Sequence, residues 1–383
     1  MPVRSCRARR VKRMSDSPLP RLGFLMEQTL GHVTHYRNLR AAVDADPRAR
    51  AAWYPLGFPP RGSLETLPPL RDNWTARGSL RARRLLPPAL AASHDALFFH
   101  TQTITVLSRA IIARVPSVIS LDATPLNYDV VGAAYGHQGG SGPVEAAKRG
   151  LYARPLRVAA AIVVWCDWAR RSLVSDYGVP DSRITVIAPG VDLAGYREPS
   201  GCGVPGTRLR VLFVGADFAR KGGPLLLEAA AALGDRCELH LVTRTPLPPR
   251  PGVHVYADLG PNSPMLRRLY AQADIFVLPT LADCFPLVVQ EAMAAGLPVV
   301  ASDLGAIDEA VGDGHTGLLV PPGDGRALRA AIEALAADQS MRRRLGAQGR
   351  AVAERRFDSA QNASRIVDLL LNVARRPAAG ARE

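Results

Sequence analysis

Short apolar runs alternate with segments whose apolar residues recur at helical spacing along nearly the whole chain, a pattern that predicts βαβ units stacked around parallel sheets. In the first half, residues 21–27, 96–100, 117–122 and 161–165 read as buried strands, and residues 34–45, 104–114, 143–159 and 167–177 as helices. The second half repeats the alternation: strands are expected at 210–214, 238–242, 254–256, 275–278 and 299–301, and helices at 224–233, 263–271, 287–294 and 326–336. A last strand of the first half ends near Ala188 and gives way to the Gly- and Pro-rich stretch GVDLAGYREPSGCGVPGTR, which reads as a linker. The expected organisation is a basic tail without order at 1–16, an N-terminal α/β domain at 17–195 and a C-terminal α/β domain at 206–356. Residues 357–375 carry apolar positions on one helical face and are expected to pack back on the first domain.

Length agrees with two domains, because 383 residues exceed what one core usually organises. Hydrophobic residues at 47% and charged residues at 21% exclude a wholly disordered or fibrous chain. The longest apolar runs, such as 158–165, are too short to span a bilayer. Five scattered cysteines with no CxxC pair or metal-ligand spacing fit a reducing cytosol, so a cytoplasmic location is expected. The opening MPVRSCRARRVKRM has six basic residues and no apolar core, which is not a secretory signal, and Met14 is an alternative start.

Charge changes this picture less than its total suggests. Without the tail the formal net charge falls from +14 to +8, and 45 of the 48 basic side chains are arginines, as a GC-rich genome would impose. A second basic stretch, residues 61–90, sets six arginines against Glu65 and Asp72 around Trp74. It fits either a solvated helix and loop or a peripheral contact with anionic membrane at the inner face. Aromatic residues are only 6% and do not interleave with the arginines, which weighs against a nucleic-acid partner.

Two stretches carry candidate chemistry. FVGADFARKGG (Phe213 to Gly223) reads as a strand, a loop with Arg220 and Lys221, two glycines and a helix start. Such a loop can bring backbone amides and two cations to a phosphate, although a solvated first turn has the same composition. Lys221 is one of three lysines in an arginine-rich chain, and its ammonium is a compact charge suited to a phosphate oxygen. In PTLADCFPLVVQEAMAAGLPVVASDLGAIDE (Pro279 to Glu309), a strand ends at a loop bearing Asp283, Pro286 sits just inside a new helix, and Glu291 follows on that helix. Two carboxylates there can accept sugar hydroxyls while amides near Leu287 face an anion; the plain alternative is a capping acid and a surface acid.

Taken in order and spacing, VIAPGVD, FVGADFARKGG, LYAQADIFVLPT, DCFPLVVQEAMAAGLPVVASDLGA and GHTGLLVPPGD resemble the family 4 glycosyltransferases, over about residues 20–373 and most closely between Val186 and Val320. The resemblance implies a GT-B fold, two Rossmann-like domains facing across an interdomain cleft. It implies a retaining, metal-independent hexosyltransferase that needs no cofactor beyond a nucleoside diphosphate sugar as co-substrate. The family's Glu-x7-Glu pair becomes Asp283 and Glu291, which implies that Glu291 binds ribose hydroxyls and Asp283 the transferred sugar. Lys221 matches the phosphate-binding lysine. The arginine usual after the strand glycine is replaced by Ala216, and Arg220 is the candidate to supply its charge. Phe285, Pro286, Leu287, Leu304 and Gly305 fall on the donor side, as does Gly31 in TLGHVTH, which resembles the family's glycine loop. His100, ending DALFFH, matches a histidine facing the sugar.

On the acceptor side stand Asp122, on the carboxyl edge of the first sheet, with His32, His35, Tyr135 and His137. The expected partners are a nucleotide-sugar donor and a carbohydrate or lipid-linked acceptor. Lys221, Arg220 and the helix-start amides would stabilise the departing diphosphate, and the resemblance implies front-face attack. A dinucleotide-dependent oxidoreductase would need GxGxxG after a first strand, and neither half has it; GGSG at Gly139 to Gly142 lacks the pattern. A non-catalytic basic binding protein is the remaining alternative.

Overall fold

The structure is a computed structural model that describes residues 18–29, 31–60, 63–68, 71, 73–132, 142–196 and 208–375. The basic tail, Tyr135 and His137 lie outside the described residues.

The N-terminal sheet contains β1 (Arg21–Glu27), β2 (Arg50–Leu56), β3 (Ala96–His100), β4 (Ser117–Leu121), β5 (Ala161–Val164) and β6 (Ile184–Val186). Around it lie α1 (His32–Asp44), α2 (Trp74–Leu85), α3 (Pro88–Ala91), α4 (Arg109–Arg114), α5 (Pro125–Val131), α6 (Gly142–Val158) and α7 (Asp167–Ser175). The C-terminal sheet contains β7 (Leu209–Val214), β8 (Cys237–Val242), β9 (Val253–Tyr256), β10 (Ile275–Leu278), β11 (Val299–Ser302) and β12 (Gly317–Val320). Its helices are α8 (Gly223–Leu233), α9 (Pro264–Gln272), α10 (Leu287–Ala294), α11 (Ile307–Ala310), α12 (Gly325–Ala337) and α13 (Gln339–Arg356), and α14 (Ser359–Ala374) closes the chain.

Every strand pair in both sheets is parallel, in the orders β2-β1-β3-β4-β5-β6 and β12-β11-β10-β7-β8-β9. Parallel sheets bury both faces under helices, which is why the central strands β3, β4, β5 and β10 are buried at every residue. In such sheets ligands bind beyond the carboxyl ends of the strands, so the topology already locates two candidate rims.

Helix α14 packs on the N-terminal sheet, with Ala363, Ile366, Val367, Leu370 and Val373 in the core that holds Leu22, Phe24, Phe98 and Val118. Its entry is pinned to the linker, where the Val191 amide donates to Phe357 O at 2.7 Å and the Ser359 amide to Val191 O at 3.1 Å.

Several elements differ from the sequence expectation. The helix expected at 104–114 begins only at Arg109, because a 3-10 turn covers Gln102–Ile104 and the Thr105 hydroxyl donates to Gln102 O at 2.7 Å, competing with helical pairing. β2, with Pro55 in it, is an edge strand where a missing N–H is tolerated. β12 and α13 also lie outside the predicted elements. Pro286 is the N-cap of α10, one residue earlier than expected.

Candidate active site

On the C-terminal rim, β7 and β10 are neighbours, so the loops that leave them meet. Gly222 has a φ of +76°, and a Cβ there would lie 1.7 Å from Pro279 O; only glycine lets the two loops touch. The Leu281 amide donates to Arg220 O at 2.8 Å, and the Arg220 guanidinium reaches Ala282 O at 2.7 Å and Asp217 at 3.3 Å. Arg220 thus braces the Asp283 loop through bonds within the protein. Beyond it the Lys221 ammonium pairs directly with the Asp283 carboxylate, both side chains nearly buried. Gly305 closes the site from β11: its φ is +64°, a Cβ would sit 2.4 Å from Asp283 O, and the next amide, of Ala306, donates to Cys284 O at 3.0 Å.

Helix α10 starts beside this ion pair with no side chain capping its first turn, so its leading amides are free to face an anion. Phe285 and Leu287 are buried at its start. Glu291, one turn in, is buried and accepts the Tyr270 hydroxyl at 2.9 Å, with the Tyr196 ring packed against Tyr270. Burial raises its carboxyl to about 7, against the hydrogen bond from Tyr270. Asp283 and Glu291 therefore sit in different surroundings: the first is neutralised by an ammonium, the second is held by the neutral Tyr270 phenol.

The N-terminal rim gathers side chains from several strands. His100, at the end of β3, is fully buried and stacks on Trp165 with ring centroids 5.4 Å apart. Its Nε2 lies 2.9 Å from His32 Nδ1, and its Nδ1 lies 3.4 Å from Ser120 Oγ. His32, the first residue of α1, stands 3.9 Å from Glu27 and 3.8 Å from Asp122. Burial opposes a charge on this imidazole, but Glu27 and Asp122 outweigh it and raise its pKa to about 9. Burial, with His32 and His35 adding to it, pushes His100 well below its ordinary value. A charged His32 therefore donates to a neutral His100, whose remaining proton belongs on Nδ1.

Asp122 also accepts the Ala123 amide at 2.9 Å, so it caps its own turn as well as facing His32. His35 is buried with neither ring nitrogen hydrogen-bonded, and burial lowers it to about 3. Gly31 begins α1 with ordinary helical angles, and a Cβ there would meet only Leu287 at 3.8 Å.

The two rims face each other. Tyr128, on α5, feels Cys284 and Arg220 across the cleft, and burial raises its hydroxyl to about 12. The rims are also tied: Glu309, at α11, accepts the amides of Asp167 and Trp168 at 2.6 Å each and so caps α7 from the opposite domain. A second tie joins Asn262 to Asn38 at 2.7 Å.

The structure thus brings Lys221, Arg220, Asp283, Pro286, Leu287 and Gly305 together on one rim and His32, His100 and Asp122 on the other, with Glu291 behind α10's first turn. Glu27, Tyr128, Trp165 and Tyr196 belong to these constellations and carry no motif, while Tyr270 and Glu309 fall inside quoted stretches but were not singled out as site residues. The order of strand ends alone could have flagged Glu27 and Trp165, each closing or following a buried strand as His100 does.

In the basic stretch, Arg77 and Arg81 turn inward. Arg77 donates to Phe58 O at 3.0 Å, and Arg81 pairs with Glu65 and reaches Pro59 O at 2.6 Å. These two charges serve the fold and leave Arg83 and Arg84 exposed on α2. Among the described residues no helix is long and apolar enough to cross a membrane.

Comparison with known proteins bears on both halves. The family model described as Glycosyl transferases group 1 matches residues 208–338, and that described as Glycosyltransferase Family 4 matches residues 36–194. The chain is 45% identical over 103 residues to the phosphatidyl-myo-inositol mannosyltransferase of Mycobacterium leprae, 27% of each chain. It is 34% identical over 201 residues to the D-inositol 3-phosphate glycosyltransferase of Nocardia farcinica, 46% of this chain and 45% of that one. The chain thus spans less than half the length of these curated relatives. Sucrose-phosphate synthase from Thermosynechococcus elongatus superposes with a TM-score of 0.73 at 19% identity, over 92% of this chain and 99% of that one. Anabaena HepE in complex with UDP and glucose superposes with a TM-score of 0.65 at 19% identity, over 92% and 99%. With a family match on each half and two parallel six-stranded sheets facing across one cleft, the chain belongs to the family 4 glycosyltransferases of GT-B fold.

Proposed function

We propose that the protein transfers a hexosyl group from a nucleoside diphosphate sugar to an acceptor hydroxyl, with retention of anomeric configuration and without a metal ion. The observation that carries the reading is the meeting of Lys221 and Asp283 beside the uncapped start of α10, on the rim shared by β7 and β10. A diphosphate satisfies that arrangement: its charge competes with Asp283 for Lys221 and takes the free amides, leaving the carboxylate to accept sugar hydroxyls. As the glycosidic bond breaks, Lys221 and these amides stabilise the charge that grows on the leaving phosphate. Arg220 holds the loop that presents both. Glu291 takes the ribose hydroxyls, exchanging Tyr270 for them.

Across the cleft His100 faces the sugar, with its tautomer set by His32, while Asp122 and His32 stand on the acceptor side. The acceptor class we propose is a polyol or a phosphorylated polyol. The names of the relatives support this, as does the charged His32, which suits an anionic substituent. A lipid-linked acceptor is the second reading, favoured by the exposed apolar Leu67, Trp74 and Leu85 and the exposed Arg83 and Arg84 within one basic stretch. It predicts binding to anionic vesicles at low salt and none at high salt.

The test is product analysis with a panel of UDP- and GDP-sugars, and inositol and inositol phosphates as acceptors, in the presence of EDTA. The expected product keeps the donor's anomeric configuration in its NMR coupling. No transfer from any donor, or an inverted product, would overturn the proposal.

A further inference from the structure

Away from the cleft, at the outer edge of the C-terminal sheet, three side chains converge that glycosyl transfer does not use. β8 places Glu238 and His240 on one face, two residues apart, and β9 brings His254 into register with His240. One ligand atom from each of the three lies within 4.8 Å of the others. The two imidazoles run nearly parallel, centroids 5.0 Å apart and planes inclined at 21°. Beside them is a cavity of about 120 Å³ lined by Arg210, Glu238, His240, Leu269, Gln272 and Ala273.

We propose that Glu238, His240 and His254 form a binding site for a divalent transition-metal ion of the zinc class. Two imidazoles and a carboxylate are the donor set such ions take, with water completing the tetrahedron. His240 is already oriented for it: the Tyr256 hydroxyl lies 3.0 Å from Nδ1, leaving Nε2 to point at Glu238, 3.3 Å away. A partner on the far nitrogen is how metal-binding histidines are held. For an ion to bind, Nε2 gives up the proton it turns toward Glu238, and Nδ1 then carries the ring's proton toward the Tyr256 hydroxyl.

Zinc–nitrogen bonds of about 2.0–2.1 Å bring tetrahedral ligands to roughly 3.4 Å of each other. Exposed His254 has the freedom to make that adjustment. The competitor is Arg210, whose Nε donates to Glu238 at 3.1 Å; its half-exposed side chain can swing away when an ion arrives. An ion there ties edge strand β9 to β8 and stabilises the folded chain by mass action.

The full chain, stripped with EDTA, is titrated with Co²⁺, followed by its visible spectrum, and then with Zn²⁺. One Co²⁺ per chain, displaced by Zn²⁺ and accompanied by a rise in melting temperature, is expected. His254→Ala, at an exposed position, should weaken binding at least about tenfold. Tyr256→Phe should weaken it less at unchanged stoichiometry, and Arg210→Ala should strengthen it. Equal affinity in wild type and His254→Ala, no binding, or a near-ultraviolet thiolate band placing the ion on cysteine would each overturn the proposal.

Discussion

The two rims of the cleft are built in opposite ways. The C-terminal rim is contiguous: two loops from adjacent strands, drawn together by Gly222 and Gly305, place one ammonium and one carboxylate in direct contact. The N-terminal rim is dispersed, with Glu27, His32, His100, Asp122 and Trp165 coming from separate strand ends and a helix start. The first kind of site depends on close backbone approach and on one unscreened ion pair. The second depends on burial and mutual charge: His32 stays protonated because two carboxylates flank it, and its charge adds to the burial that keeps His100 neutral. A rim of the first kind suits a ligand of fixed charge such as a diphosphate, and the second suits adjustment to an acceptor.

Breaking the contiguous rim should produce the largest effects. Lys221→Ala removes the ammonium proposed to meet the leaving phosphate and takes the ion-pair partner from Asp283, so kcat/KM should fall on the order of a hundredfold to a thousandfold in steady-state assays. Gly222→Ala forces a side chain against Pro279 O at positive φ, which should cost about 2–4 kcal/mol in denaturant unfolding and disturb Asp283 with it.

The dispersed rim should respond to pH instead. His32 is raised from 6.5 to about 9, so its contribution to stability is fully present below about pH 6.5 and is lost as pH rises through 9. The stability gap between wild type and His32→Gln should therefore shrink across that interval; a gap that widens would contradict the charged-imidazole assignment. The smallest effect concerns the tie between the rims. Glu309→Gln leaves one oxygen to serve two amides and should lower stability by about 1 kcal/mol, seen as a modest fall in melting temperature.

The same contrast explains what was legible in the sequence. Alternating runs revealed the strands that are buried on both faces, while β2, with Pro55 and a half-exposed face, carried no such signal. Helix α13 was missed because arginines fill much of it, and one of them, Arg342, turns inward to Ala336 O at 3.1 Å. Lys221, Asp283, Glu291 and Gly305 fall in short linked motifs, so spacing sufficed to assemble them. Glu27, Trp165 and Tyr270 reach their partners only through folding: Glu27 accepts Thr101, and Tyr270 binds Glu291 from another helix. Burial of Glu291 against phenols was likewise invisible, since spacing gives a helix face and says nothing of what packs there.

The central claim is that the C-terminal rim holds a nucleoside diphosphate, and titration calorimetry with UDP and GDP tests it most directly. At least one of them should bind the wild-type chain, and both Lys221→Ala and Glu291→Ala should weaken that binding at least about tenfold, while His254→Ala leaves it unchanged. Failure of both ligands to bind, or undiminished wild-type affinity in both Lys221→Ala and Glu291→Ala, would contradict it.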